Sequence, residues 1–95
     1  MAAYLVVDIE VTNPQQFEEY RKLAPAALAK YGGRYLIRDG AYEALEGEWR
    51  PQRLVIVAFD SMEKARAFYT SPEYSTAIKV RAGAATFKML LVQGV

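Results

Sequence analysis

Two carboxylates near the start of the chain have the spacing of a shared strand face. Asp8 and Glu10 are two residues apart in a segment that alternates, and they lie on the face away from Leu5 and Val7. In a dry cavity one of them would have a raised pKa and could act as a general base. The alternative is a charged pair at the rim of a sheet, bound to Arg or Lys of a neighbouring strand.

Arginine and tyrosine side chains supply candidate groups for binding an anion. Arg34 and Arg38 are expected to share a strand face with Leu36, where they could hold a carboxylate or an enolate, or else form surface ion pairs. Tyr74 and Arg81 have helical spacing and could converge at the mouth of a pocket. Alternatively, Tyr74 packs in the core while Arg81 pairs at the surface.

A single tryptophan lies in a predicted loop between Gly47 and Pro51. Trp49 could stack on a planar ligand or become buried at a subunit interface, and we favour the interface because Trp often anchors such contacts. Arg53, a few residues further on, could bind an anion or simply lie in a solvated turn.

The amino-acid composition excludes several classes of catalytic and metal-binding site. The 95 residues include no His and no Cys, which excludes thiol nucleophiles, His general bases and haem or zinc sites that use these ligands. An oxygen-only metal cluster would need a spacing of carboxylates that is missing, so we predict no metal and no cofactor. The 12 Lys and Arg against 11 Asp and Glu are scattered, without the basic stripe that nucleic-acid binding requires.

The apolar runs are too short for a membrane-spanning helix, and the first residues lack the basic start of a secretory signal. We therefore expect a cytoplasmic protein without membrane contact. Its length corresponds to a single domain covering residues 1–95.

The positions of these candidates depend on seven predicted elements. Alternating or continuous apolar runs predict strands, and recurring apolar residues at helical spacing predict helices. The strands are expected at 4–11, 34–38, 53–59 and 86–93, with one helix after residue 13, a second after residue 60 and a short third helix at about 72–81.

Helix boundaries carry their own signals. Asn13 is predicted to cap the first helix, with Pro14 at its first position, and Gly32-Gly33 is predicted to end it. Pro25 lies inside the pattern, so we expect a kink or a restart there. Asp60 is predicted to cap the second helix.

The connection after the second strand has two interpretations. Asp39-Gly40 is typical of a tight hairpin, but a glycine with positive φ also makes a bulge through which a strand bends and continues. Residues 41–46 form a weaker strand-like stretch that fits either interpretation.

The order of elements, βαββαβ, predicts an α+β fold of the ferredoxin-like type, with an antiparallel four-stranded sheet and the helices on one face. Right-handed connections place the first and third strands in the centre, and these are also the most apolar strands. The sheet face without helices should be polar in a monomer. It contains Tyr4, Val6 and an apolar set from the third strand, either 54, 56 and 58 or 55, 57 and 59. We therefore expect a two-fold symmetric homodimer that covers this face.

Several segments resemble the DUF1330 family, a bacterial family of domains of unknown function within the dimeric α/β-barrel superfamily. The resemblance covers most of the chain and rests on YGGRY at 31–35, LEGEWRP at 45–51, FDSM at 59–62 and AFYTSPEY at 67–74. It implies that two ferredoxin-like subunits face each other through their sheets and form a barrel, with a cavity between sheet and helices or in the barrel interior. Relatives in the superfamily include cofactor-independent oxygenases, lactone isomerases, haem enzymes and ligand-binding modules. The haem branch uses histidine, which this chain lacks.

Three functions are compatible with these features. The first is a homodimer that binds a small anionic or aromatic metabolite in the barrel cavity. The second is a cofactor-independent enzyme in which Asp8 or Glu10 abstracts a proton and an arginine holds the enolate. The third is a structural or assembly module whose barrel is filled by its own side chains. A cavity lined by Tyr and Arg without one of these carboxylates would favour simple binding.

Overall fold

The computed structural model describes all 95 residues. It contains four strands and three helices in the predicted order. Their bounds are β1 Ala3–Val11, α1 Pro14–Lys30, β2 Arg34–Arg38, β3 Leu54–Phe59, α2 Met62–Tyr69, α3 Pro72–Arg81 and β4 Ala85–Gln93. The ferredoxin-like α+β prediction is confirmed.

The strands form one antiparallel sheet in the order β2-β3-β1-β4, so the two most apolar strands are central, as predicted. Leu5 of β1 pairs with Val57 on one side and Leu91 on the other, and this row faces the helices. Val6 pairs with Ile56 and Leu90, and this row lies on the opposite face. The register thus assigns Leu54, Ile56 and Ala58 to the face without helices, which we call the open face.

The hydrophobic core lies between the sheet and the helix layer. Alternate residues of β1 are buried there, while α1 contributes a stripe of buried side chains at helical spacing. The deepest large side chains are Phe59 and Tyr74, at 0% and 1% exposure. The members that line the site described below are Leu5, Val7, Ile9, Phe17, Tyr20, Ala24, Leu28, Val57, Phe68 and Tyr74.

A β-bulge in β2 corrects the predicted shared face of its two arginines. Tyr35 pairs with Val57 but Ile37 pairs with Ile56, so Leu36 is the extra residue between them. An inserted residue reverses the face of every later side chain in the strand. Arg34 therefore lies on the open face, whereas Arg38 lies on the face toward the helices.

Of the two outcomes predicted at Pro25, a kink or a restart, the structure excludes the restart. Helix α1 continues through this residue as one element and does not restart. The apolar stripe on both sides of the proline, Ala24 before it and Ala27 and Leu28 after it, is buried against the sheet. This burial offsets the backbone hydrogen bond that the proline removes.

The helix termini agree with the sequence signals in two of three places. Asn13 caps α1 by accepting a hydrogen bond from the Gln16 amide at 3.2 Å, and Gly32 after the helix has φ 79°. The cap of α2 is Ser61, not Asp60, because the Ser61 hydroxyl accepts from the Lys64 amide at 3.2 Å. Asp60 instead pairs with Arg34, and the distance from its Oδ1 atom to Nη1 of Arg34 is 3.5 Å.

The connection from β2 to β3 is a long loop rather than a tight hairpin or a continued strand. Asp39 has φ 57°, and residues 39–53 form no helix or strand, so the predicted strand-like stretch at 41–46 is wrong. Most of this loop is exposed, and none of it joins the sheet as a strand. Its last residues are held by Asp8, whose Oδ1 accepts a hydrogen bond from the Gln52 amide at 2.8 Å. None of the helices is long and apolar enough to span a membrane.

Candidate functional site

A cavity of about 470 Å³ lies between α1 and the helix-facing side of the sheet. This volume falls within the range of roughly 300–1,000 Å³ that is usual for small-molecule sites. Its walls are mainly apolar and aromatic side chains from all seven elements. Those from the sheet are Leu5, Val7, Ile9, Tyr35, Val55, Val57, Phe87 and Met89, and those from the helices are Phe17, Tyr20, Ala24, Pro25, Leu28, Phe68 and Tyr74.

Two tyrosine hydroxyls meet in the wall of the cavity. The Oη atoms of Tyr20 on α1 and Tyr74 on α3 are 2.7 Å apart, and both residues are buried. Burial raises the pKa of Tyr20 above its usual range, and the neighbouring Tyr74 raises it further. Burial also raises the pKa of Tyr74, partly offset by the hydrogen bond from Tyr20 and by the charge of Arg81. Both phenols are therefore neutral hydrogen-bonding groups at ordinary pH.

Arg81 packs behind this pair. Its guanidinium carbon lies 3.6 Å from the ring centroid of Phe87 and 5.7 Å from that of Tyr20. Its Nε atom is buried without a hydrogen-bond partner. Sequence spacing had suggested that Tyr74 and Arg81 converge, and the structure brings them into one cluster around the aromatic wall.

The charged residues of the cavity lie at its mouth. Arg38, Asp39 and Arg21 are exposed and Arg53 is partly exposed, in contrast to the buried tyrosines. Arg21 is paired with Glu18 at 3.0 Å, whereas Arg38 and Arg53 take part in no salt bridge.

Aromatic rings hold the two unpaired arginines. The guanidinium carbon of Arg38 lies 4.6 Å from the ring centroid of Tyr35, and that of Arg53 lies 6.0 Å from that of Phe17. Burial raises the pKa of Tyr35, and the charge of Arg38 opposes that effect. The mouth therefore presents positive charge beside aromatic faces.

Four of the eight sequence candidates lie away from this cavity. Asp8 and Glu10 are on the open face, where Asp8 anchors the loop through Gln52. Arg34 is also on the open face, and Trp49 is 65% exposed in the loop. The cavity thus brings together Arg38, Arg53 and Tyr74, with Arg81 behind them, and excludes the two proposed carboxylates.

Sequence reasoning missed two tyrosines of the site. Tyr20 belongs to the buried stripe of α1 and Tyr35 faces the helices from β2. Both side chains are apolar enough to be interpreted as core residues. They contribute to the site because Tyr74 of α3 lies beside Tyr20 and Arg38 lies beside Tyr35. An available signal was the high number of tyrosines, seven in 95 residues.

The residues of the cavity can bind a ligand through shape, aromatic contacts, hydrogen bonds and positive charge. Their neutral phenols can donate hydrogen bonds, and the arginines can pair with a carboxylate. No group of three or more acidic side chains is placed to hold a metal ion.

The fold and this cavity define a ferredoxin-like α+β protein with a pocket beneath its first helix. The chain belongs to the DUF1330 family, a domain of unknown function, whose model matches residues 2–95. The predicted family is therefore confirmed. No curated protein matches the chain in sequence.

Solved structures share the fold at low sequence identity. The RPA0582 protein of unknown function from Rhodopseudomonas palustris has a TM-score of 0.77 at 13% identity, over 99% of this chain and 82% of that one. SnoaB, a cofactor-independent oxygenase from Streptomyces nogalater, has a TM-score of 0.68 at 13% identity, over 99% and 93% of the two chains. A dimeric ferredoxin-like protein of unknown function from Jannaschia sp. CCS1 has a TM-score of 0.66 at 12% identity, over 99% and 100%. These likenesses support the fold.

Proposed function

We propose that this protein binds a small metabolite, anionic or aromatic, in the cavity between α1 and the sheet. The observation that carries the proposal is the coincidence of an apolar, aromatic interior of about 470 Å³ with two unpaired arginines at its mouth. An aromatic ring gains from burial against such walls, and a carboxylate gains from Arg38 and Arg53. The candidates Arg38, Arg53, Tyr74 and Arg81 keep a binding role in this proposal.

An enzymatic function is the second candidate. The observation in its favour is the structural likeness to SnoaB, a cofactor-independent oxygenase. The carboxylates expected to abstract a proton, Asp8 and Glu10, lie on the open face, across the sheet from the cavity. Catalysis by them would require a substrate on the open face, so the geometry supports binding more strongly than turnover by this route.

A module filled by its own side chains fits the structure less well. A packed interior has few voids larger than a water molecule, and the cavity beneath α1 is many times that size. Arg34, which pairs with Asp60, lies outside this pocket, and so does the exposed Trp49, for which a subunit interface remains our expectation.

The proposal includes a homodimer formed through the open face. Val6, Ile56 and Leu90 form an apolar row across this face, and Leu90 is 66% exposed. Two solved neighbours, from Jannaschia and from Bacteroides fragilis, are described as dimeric. A second copy is the occupant that a self-complementary apolar sheet face fits best.

Binding is tested by calorimetry with naphthoate as the aromatic anion. We expect saturable binding to the wild type, and a loss of at least about tenfold in affinity for Ala24→Leu, which fills the cavity. Ala26→Leu is the matched control, because Ala26 is exposed on the same helix. Equal affinities of the two variants would contradict binding in this cavity.

The charge at the mouth is tested by the same titration. Arg38→Gln should weaken naphthoate binding, since it removes an unpaired guanidinium from the mouth. Arg34→Gln, in the same strand but on the open face, should leave it unchanged. A reversed order would place the anion site on the other side of the sheet.

A further inference from the structure

The tyrosine pair in the cavity wall has two hydroxyl protons, and the protein provides a hydrogen-bond acceptor for only one of them. Tyr20 and Tyr74 carry two hydroxyl protons, and their mutual hydrogen bond at 2.7 Å consumes one, whichever residue donates. Neither hydroxyl has another acceptor among the side chains or the backbone, and the Arg81 side chain, which lowers the pKa of Tyr74, can only donate. The second proton therefore has no acceptor within the protein, although both residues are buried.

A buried donor without an acceptor is costly unless something else accepts its proton. The cost is the desolvation of a hydrogen-bond donor that gains no acceptor in return. Both tyrosines line the cavity, so a ligand in the cavity is in a position to supply the acceptor. Deprotonation does not remove the excess proton at ordinary pH, because burial raises the pKa of both phenols.

The surroundings of the pair favour an acceptor with partial negative charge. The guanidinium of Arg81 lies behind Tyr20, 5.7 Å from its ring centroid, and the Nε atom of Arg81 is buried without a partner. No acidic side chain lines the cavity except Asp39, which is exposed at the mouth. An oxygen atom of a ligand at the tyrosine pair would therefore meet a donor and a positive charge.

The mouth of the cavity favours a ligand group with a full negative charge. Arg38 and Arg53 are free of salt bridges and lie against aromatic rings, so they can pair with an anionic group without losing a partner. Between the exposed arginines and the buried tyrosines the walls are apolar, and this interval suits a ring or a short hydrocarbon frame.

We propose that the cavity selects a bifunctional ligand, an aromatic carboxylate that carries a carbonyl or similar oxygen acceptor at the end remote from its carboxylate. The carboxylate binds Arg38 and Arg53 at the mouth, and the remote oxygen accepts the excess proton of the Tyr20–Tyr74 pair. This inference rests on the proposed binding function and adds the chemical class of the ligand and the residues that read each end of it.

Two probes of similar shape separate the two ends. Para-acetylbenzoate has the carboxylate, the ring and a carbonyl acceptor, while para-isopropylbenzoate has the same carboxylate and ring but no acceptor. The quantity measured is the ratio of their dissociation constants by calorimetry, because this ratio cancels the contribution of the carboxylate. Comparing this ratio between the wild type and a variant also cancels the difference in hydrophobicity between the two probes.

The informative variant is the double substitution Tyr20→Phe with Tyr74→Phe. Replacing both hydrogen-bonding partners by groups of the same shape is nearly neutral for stability, so the fold should persist, and circular dichroism checks it. We expect the preference for the acetyl probe to fall roughly threefold to tenfold in this variant. Tyr69→Phe, a partly exposed tyrosine without a hydroxyl hydrogen bond, should keep the wild-type ratio.

Arg38→Gln supplies the complementary control. It should weaken both probes by a similar factor and leave their ratio unchanged, because both carry the same carboxylate. If both probes bind and the ratio is the same in the wild type and the double variant, the tyrosine pair does not read the ligand and the inference is wrong. If neither probe binds the wild type, the proposed function fails together with it.

Discussion

The site depends on where single side chains place their polar atoms. The Tyr20 and Tyr74 hydroxyls lie deep in the wall at 2.7 Å from each other, whereas the guanidinium groups of Arg38 and Arg53 lie at the mouth. The interior can therefore remain apolar while each end of a ligand meets a specific group. A protein of this size can distinguish ligands in this way without a metal or a thiol, because hydrogen bonding and charge suffice for recognition.

Gly33 allows close packing at the junction between α1 and β2. A Cβ atom there would lie 2.7 Å from Cδ2 of Leu28 and 2.9 Å from the ring of Phe59, both of which are buried. Gly33→Ala should therefore lower the free energy of unfolding by about 1–3 kcal/mol, as overpacked cores usually do. Urea unfolding followed by circular dichroism measures the loss.

The matched control is Gly40→Ala, at a position whose Cβ would have nothing within 4 Å. It should change the unfolding free energy by no more than about 0.5 kcal/mol. A Gly33→Ala protein as stable as Gly40→Ala would show that Leu28 and Phe59 yield easily, against the close packing described.

At the scale of elements, the end of α1 is joined to the start of α3 by a small polar cluster. Tyr31 donates a hydrogen bond from its hydroxyl to Oε1 of Glu73 at 2.9 Å, and Lys30 donates to Oε2 of the same carboxylate. These contacts fix α3 beside α1, which is the arrangement that brings Tyr74 to Tyr20. The hydrogen bond from Lys30, together with that from Tyr31, lowers the pKa of Glu73 to about 2.

This cluster predicts a loss of stability in acid. The pKa of Glu73 is lower in the folded chain, about 2, than its usual value of 4.5, so its contribution to stability is complete above about pH 4.5 and is lost as the pH falls toward 2. Thermal unfolding between these pH values should show a steeper fall of Tm for the wild type than for Glu73→Gln. Glu48→Gln, in the exposed loop, should follow the wild type. Parallel curves for the wild type and Glu73→Gln would contradict this assignment.

The elements themselves were largely predictable, because each buries one regular set of side chains. Alternation in β1 and helical spacing in α1 follow from contact with one core, and the caps at Asn13 and Gly32 are local. The bulge at Leu36 was not predictable, since both faces of an edge strand carry mixed residues and either register is plausible locally. Because of this bulge, Arg38 lies on the sheet face toward the helices.

The residues of the site were predictable only as far as local sequence patterns identify them, and their positions in space were not. Arg38, Arg53 and Tyr74 were identified by residue type, but their common location requires the bulge and the long-range packing of α1 on the sheet. Tyr20 was interpreted only as core, because its partner is 54 positions away in sequence. Asp8 was a candidate because of its residue type, with a charged pair at the sheet rim as the alternative, and its strand register places it across the sheet from the cavity.

At the scale of the whole molecule, the protein is a thin two-layer structure. Its principal extents are 37, 37 and 16 Å, so the helices cover one side of the sheet and no second layer covers the other. The open face exposes apolar side chains, including Leu36, Leu90 and Val92 at 55%, 66% and 44% exposure. Such a face is unusual for a monomer and is typical of an interaction surface. Covering it with a second copy would add a third and a fourth layer and leave each cavity beneath its own α1.

The homodimer is tested by one charge placed in the apolar row of the open face. Sedimentation equilibrium should give a dimer for the wild type at low micromolar concentration and a monomer for Leu90→Asp, because an unpaired carboxylate buried in an apolar interface costs several kcal/mol. Leu23→Asp, at an exposed position of α1 on the other layer, should remain dimeric. A monomeric wild type, or a Leu90→Asp protein that still dimerises, would show that the open face does not hold the second copy. Because each cavity is lined within one subunit, the monomeric variant should retain ligand binding, which calorimetry with naphthoate can measure on the same samples.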